Sequence, residues 1–224
     1  MKQQIVGYGD ESFDEEWFIY AFVLIKRDSD ILKRLVRKMR YHVRNQSKMG
    51  ILTAKEVSMI NDQLHEHVIA RQYRKIWQQC LDIMHWEFIM HPEDWRLFSV
   101  RMPVAGCPIT KHTRTEAYVI ALRVLDAFWT RQPFRKAQLH AVTLDTLPAD
   151  INVQHLRNLS LGYSWDTSSH RQQETLIIAD WIAAMVRRAQ PHQNIAVAHK
   201  KTCARHLHHL RVRVWQRDWP SSIK

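Results

Sequence analysis

Strand-like and helix-like segments alternate along this sequence, and the fold class it predicts is α/β, a mixed central sheet flanked by helices. Three observations carry that expectation. Short apolar runs with strand patterning occur at residues 4–10, 17–25 and 137–144. Apolar residues at helical spacing fill the stretches between and after them. No internal repeat, low-complexity linker or apolar stretch of membrane-spanning length breaks the order.

Taken in order, residues 4–10 carry Ile5, Val6 and Tyr8 and stop at Gly9-Asp10-Glu11-Ser12, while residues 17–25, WFIYAFVLI, are almost wholly apolar and aromatic. Two adjacent buried strands are the simplest reading. Residues 28–44 set Ile31, Leu35 and Met39 among basic residues. That pattern predicts a helix with a positive outer face, and its Asp28-Ser29-Asp30 start suits the positive end of the dipole. Residues 61–84 bring Leu64, Val68, Ile69, Ile76, Leu81 and Met84 to near-helical spacing; residues 86–90 then read as a strand, stopped by Pro92. Beyond a Pro- and Gly-containing loop at 102–108, residues 115–130 predict a helix with Ala117, Ile120, Ala121, Val124, Leu125 and Phe128 inward. Residues 137–144 predict a strand ending at Asp145, followed by a short helix at 150–159 and a short strand at 160–165. Residues 172–188 predict a strong helix through Leu176, Ile177, Ile182, Ala183 and Val186.

A chain of 224 residues fits one fairly large domain over 1–224, carrying a basic, Trp- and His-containing C-terminal extension from about 190. Apolar residues at 46% and charged residues at 25% exclude a disordered chain. The formal charge of +11 and pI near 9.8 point to a polyanionic partner. The basic residues are spread along the chain instead of forming one amphipathic anchor, so nucleic acid, DNA or RNA, is expected and a membrane is not. The alternative use of such charge is solubility alone. Cys80, Cys107 and Cys203 have unrelated spacings and form no CxxC pair, which argues against a disulfide framework or a zinc ribbon. The opening MKQQIVGYGDES has acids where a signal peptide needs apolar residues, so a cytoplasmic protein is expected. A homodimer is compatible with the sequence, and the nine Trp leave an interaction component of a larger complex open as well.

Three acids stand in unusual places. Asp10 and Asp145 end predicted core strands, and Asp180 interrupts the apolar helix TLIIADWIAAMVRR. An ionised carboxylate near a core is costly unless it is paired or holds a metal, and oxygen donors suit Mg²⁺ or Mn²⁺. The plain alternative is that each caps a turn, pairs with a neighbour such as Arg187, or faces water.

IVGYGDES, FIYAFVLI, HAVTLD and TLIIADWIAAMVRRA together resemble the domain-of-unknown-function 3800 family. The resemblance spans roughly residues 4–189, and it implies a ribonuclease-H-like fold and a nuclease role. Carried over, it implies Asp10, Asp145 and Asp180 as metal ligands, with Asp10 bridging two ions, and Glu56 as a fourth catalytic acid, in the segment LTAKEVS. A solvated Lys55–Glu56 pair is the other reading of that segment. Glu11 belongs to the opening motif, but neighbours on a strand point to opposite faces, so it is not expected to share a metal with Asp10. Two positions depart from the family pattern: Phe13 stands where it has Gly and Ile177 where it has Gln.

If the acids converge, two ions about 3.5–4 Å apart would support in-line hydrolysis of a phosphodiester. Lys55, Arg187 and Arg188 are candidate phosphate contacts. In HKKTCARHLHHLRVRVWQRDW, Arg213 and Trp215 are candidates for holding a phosphate backbone and stacking on bases; the other reading is an element docked through Leu207, Leu210, Val212 and Val214. His199, Cys203 and His206 share one helical face at a spacing that zinc can use, though no fourth ligand is evident. A non-catalytic nucleic-acid-binding module on the same fold is the alternative to a nuclease.

Overall fold

The computed structural model describes residues 3–104, 106–131, 137–190 and 196–220. The chain forms β1 (Gln3–Phe13), β2 (Trp17–Lys26), α1 (Ile31–Lys48), α2 (Ala54–Gln63), α3 (Glu66–Gln72), α4 (Arg74–Met90), β3 (Trp95–Pro103), α5 (Lys111–Arg131), β4 (Ala137–Asp145), α6 (Val153–Arg157), β5 (Ser164–Ser168), α7 (Leu176–Arg188), α8 (Val197–His209) and β6 (Arg213–Gln216). The strands make one mixed sheet in the order β5-β4-β1-β2-β3-β6. β1, β2 and β3 pair antiparallel in sequence, and β4 joins the free side of β1 in parallel. β5 extends β4 and β6 extends β3, both in parallel.

Helices cover both faces, which explains why β2 is apolar throughout: Phe18 to Ile25 are all buried. On one face Ile19, Ala21, Val23 and Ile25 pack with α1, α4, α7 and α8. On the other, Phe18, Tyr20, Phe22 and Leu24 pack with α5 and α6. α7 is a core helix, with every residue from Leu176 to Val186 buried except Asp180. Phe13 packs with Phe18 and Trp219, and Ile177 is buried. Gly9 has no room for a side chain: a Cβ there would come within 2.8 Å of Tyr20 and 3.0 Å of Phe22.

The β1–β4 ladder carries a one-residue irregularity. Ile5 pairs with Leu139 and Val6 with Ala141, so His140 is left over as a bulge. Leu139, Val142 and Leu144 therefore all face α5, whereas strict alternation from Leu139 would turn Asp145 to that side. After the bulge, Asp145 turns instead to the face of β1 that carries Tyr8 and Asp10.

Several elements differ from the sequence reading. Residues 86–90 are the last turns of α4: Cys80, Leu81, Met84, Glu87 and Phe88 continue one buried helical stripe, and Trp86, Ile89 and Met90 are exposed. The strand expected there is β3, nine residues further on, whose burial on both faces hides any alternation. The single helix expected over 61–84 is three pieces. Leu64 takes a left-handed conformation, φ 45°, that ends α2, and Tyr73 separates α3 from α4. The short strand of 160–165 lies at Ser164–Ser168. The C-terminal segment contributes α8, packed on α7 and α4, and the edge strand β6. Among the described residues, no helix is long and apolar enough to cross a membrane.

Candidate metal centre at the C-terminal edge of the sheet

β1, β4 and β5 run parallel, so their C-terminal ends share one edge of the sheet, where open α/β sheets place ligands. Asp10 lies near the end of β1, Asp145 ends β4, and His170 follows the end of β5 by two residues. His170 Nε2 is 3.1 Å from Asp10 Oδ2 and 3.7 Å from Asp145 Oδ2. Each of the three offers a ligand atom within 4.8 Å of the others. Asp10 is buried, and Asp145 and His170 are half-buried.

Asp180 stands beside this group but is engaged from another direction. Its Oδ2 accepts a hydrogen bond from Glu66 N–H at 3.0 Å and lies 3.4 Å from His65 Nδ1. It thereby caps the N-terminus of α3. The His65 ring sits 4.7 Å from the His170 ring, which links the two carboxylate groups. Glu66 is itself fully buried, taking Trp77 Nε1–H at 2.6 Å and Arg188 Nε and Nη2 at 2.9 and 3.2 Å. That network fixes the loop carrying His65.

The electrostatics separate the acids. Burial, followed by the charges of Asp180, Glu11 and Asp145, pushes the Asp10 carboxyl well above its ordinary range, against one opposing backbone hydrogen bond from Glu11 N–H. Burial also acts on Asp180, but hydrogen bonds from His65 and the Glu66 amide, with the charges of His65 and His170, more than offset it and hold Asp180 low. Glu11 points to the α5 side; burial raises it and the Tyr118 hydroxyl and Arg114 partly counter that. The edge thus concentrates negative charge that its own protein surroundings do not balance. Two carboxylates and an imidazole are a donor set that could hold a metal ion.

The other sequence candidates lie elsewhere. Glu56 is spent on the capping box of α2: Oε2 accepts from Thr53 N–H at 2.8 Å and Thr53 Oγ1–H at 2.7 Å, and Oε1 accepts from Tyr73 at 2.9 Å. Those bonds, led by the Thr53 amide, lower its carboxyl. Lys55 is exposed. Arg187 pairs with Asp14 at 3.0 Å, and Arg188 with Glu66, so both serve the fold. Arg213 is exposed with its guanidinium 5.7 Å from the Phe128 ring centre, and Trp215 is half-buried against Phe98 and Phe128. His199 packs on Trp77, Cys203 is buried with its thiol pushed up to about 12 by that burial, and His206 packs near His85. Among the described residues these three do not assemble a ligand group.

Sequence reasoning missed His170 and His65. His170 sits outside any periodic segment, His65 lies within the stretch 61–84 read as one helix, and 14 His in the chain give no reason to single out two. The usable signal was positional, since His170 lies in the polar turn between a strand and the helix bearing Asp180. Comparison of the chain with family models, with curated proteins and with solved structures found no match.

Proposed function

We propose that this protein is a divalent-metal-dependent nuclease with a ribonuclease-H-like fold that hydrolyses phosphodiester bonds of DNA or RNA. The observation that carries the reading is the convergence of Asp10, Asp145 and His170 at one sheet edge, with the Asp10 carboxylate strained by burial and like charge. The sheet supports it: an antiparallel β1-β2-β3 meander with β4 and β5 added in parallel beyond β1 brings the ends of three strands to one edge. The +11 charge supports a polyanionic substrate.

In this reading Asp10 and Asp145 hold the cation, and His170 completes the set through Nε2. Asp180 is a positioning residue: it fixes His65, whose ring backs His170. When bound, a divalent ion supplies positive charge that activates water and steadies the leaving oxygen. Glu11 stays on the far face and takes no part.

Labelled single- and double-stranded DNA and RNA, incubated with Mn²⁺, Mg²⁺ or EDTA, test the proposal. Metal-dependent cleavage is expected, highest with Mn²⁺, abolished in Asp10→Asn and Asp145→Asn, and reduced about 10- to 100-fold in Asp180→Asn, the range for groups that orient ligands. Mn²⁺ binding followed by electron paramagnetic resonance is expected to fail in Asp10→Asn. Salt-sensitive binding without cutting, equal in all variants, would favour a binding module and sink the nuclease.

A further inference from the structure

Beside the carboxylate edge lies an open cleft of about 530 Å³, lined by Arg40, Arg44, Asn61, Asp62 and Arg171. It adjoins the site on two sides. Arg171 is the residue after His170, and Asn61 and Asp62 end α2 just before the His65 loop that contacts Asp180. Arg40 pairs with Glu174, and Asp62 is the one acid of the lining. Arg44 and Arg171 are exposed and form no ion pair among the described residues. Two buried polar atoms of the lining, Arg40 Nε and Asn61 Oδ1, also lack hydrogen-bond partners among the described residues. Beside the Asn61 acceptor and Asp62, an unpaired Arg40 donor and two guanidinium groups without ion pairs among the described residues suit an anionic ligand with several oxygens.

Arg37 of α1, exposed, extends the row of basic residues beyond the cleft lining. Arg37, Arg40 and Arg44 follow one another at helical spacings of three and four, so they share a stripe about 10 Å long at 1.5 Å per residue. One phosphate ion would not use that length; a backbone with repeated phosphates would.

We propose that the Arg40–Arg44–Arg171 cleft is the phosphate-backbone subsite of a bound nucleic-acid strand, leading it from the Asp10–Asp145–His170 edge along α1. The identity of the strand rests on the nuclease reading, whereas the cleft and its charge do not. The strand's phosphates meet Arg171 next to the site and Arg44 further out, with Arg40 held between by Glu174.

The test measures binding of short labelled DNA and RNA, single- and double-stranded, in EDTA so that no cutting occurs, over a range of KCl. The proteins are the wild type, an Arg44→Gln/Arg171→Gln double variant, and Arg157→Gln as a control on the α5 face. The double variant is expected to bind several-fold more weakly at low salt. Its slope of log affinity against log salt is expected to be shallower by about 1.4 for single strands or about 1.8 for duplex. The control should match the wild type. An unchanged slope in the double variant, an equal loss in the control, or displacement by polyglutamate as effective as by unlabelled oligonucleotide would overturn the subsite. Mn²⁺ binding and cleavage, measured in parallel, keep the two readings apart. A wild type that never cuts, with the slope still lost in the double variant, sinks the nuclease and sustains the subsite.

Discussion

Burial and neighbouring acids disfavour the charged form of Asp10, so exchanging it for Asn is expected to act in opposite directions with and without metal. In EDTA the Asp10→Asn protein should be more stable than wild type by about 1–2 kcal/mol, a rise of several degrees in Tm for a chain this long, because a buried acid beside Asp145 and Asp180 is gone. With Mn²⁺ at about 100 times its Kd, wild type gains about 2.7 kcal/mol that the variant cannot, and the order reverses. Equal Tm values under both conditions would deny Asp10 this role. His206 offers a separate test far from the site. Burial, with Arg205, His85 and His209 nearby and Asp82 opposing, lowers its pKa to about 4, against about 6.5 in an unfolded chain. The imidazole is neutral when folded, so its contribution is fully present above about pH 6.5 and is lost as pH falls towards 4, at no more than about 1.4 kcal/mol per unit. Urea midpoints across that window should fall more steeply for wild type than for His206→Gln. At this scale the sequence was half legible. Asp10 and Asp145 betray themselves because a carboxylate closing an apolar strand is conspicuous. His170 lies in a turn whose conformation depends on what it meets, and Glu56 matched a motif while its atoms went to a helix cap.

Among the elements, α3 and α7 are tied by the buried Glu66–Arg188 pair, and that tie holds His65 against Asp180. Arg188→Ala leaves a fully buried carboxylate without its partner, and a loss of about 3–5 kcal/mol is expected in urea or thermal unfolding. A loss under 1 kcal/mol would mean that Glu66 takes up a proton or water at little cost. The same elements show where pattern reading works. β1, β2, β4, α1, α5 and α7 follow from apolar patterning because their apolar runs or stripes are long enough to tell strand from helix. The run WEFIM misleads, since five apolar-rich residues suit a strand or the end of a buried helix equally, and only packing of Met84 and Phe88 on the core decides. The breaks at Leu64 and Tyr73 carry no Gly or Pro to announce them. Leu64 bears a left-handed backbone because its carbonyl accepts Trp181 Nε1–H at 2.9 Å and its side chain is fully buried, both long-range conditions.

For the whole molecule, an excess of basic over acidic residues surrounds a sheet edge whose own charge is negative. Both features are repulsive within themselves, so in EDTA the Tm is expected to rise as KCl is increased from about 0.01 to 0.3 M, by a few degrees at most. A fall would show that attraction between the basic surface and the acidic edge dominates instead. The sheet also makes a single residue decisive. Because His140 is extra in β4, everything from Ala141 onward reads in the opposite parity to Leu139. Losing that residue would only straighten the strand, because Leu139, Ala141 and Val142 would then alternate in step with Ile5, Val6 and Gly7 and Asp145 would stay beside Asp10; one residue more beyond the bulge would be a frameshift in space, turning Asp145 to the side of Glu11 and Tyr118. A His140 deletion should therefore leave Mn²⁺ binding in place, whereas a one-residue insertion between Val142 and Leu144 should silence it without any acid being touched. For this fold, a one-residue insertion in β4 beyond the bulge is more consequential to the site than most substitutions.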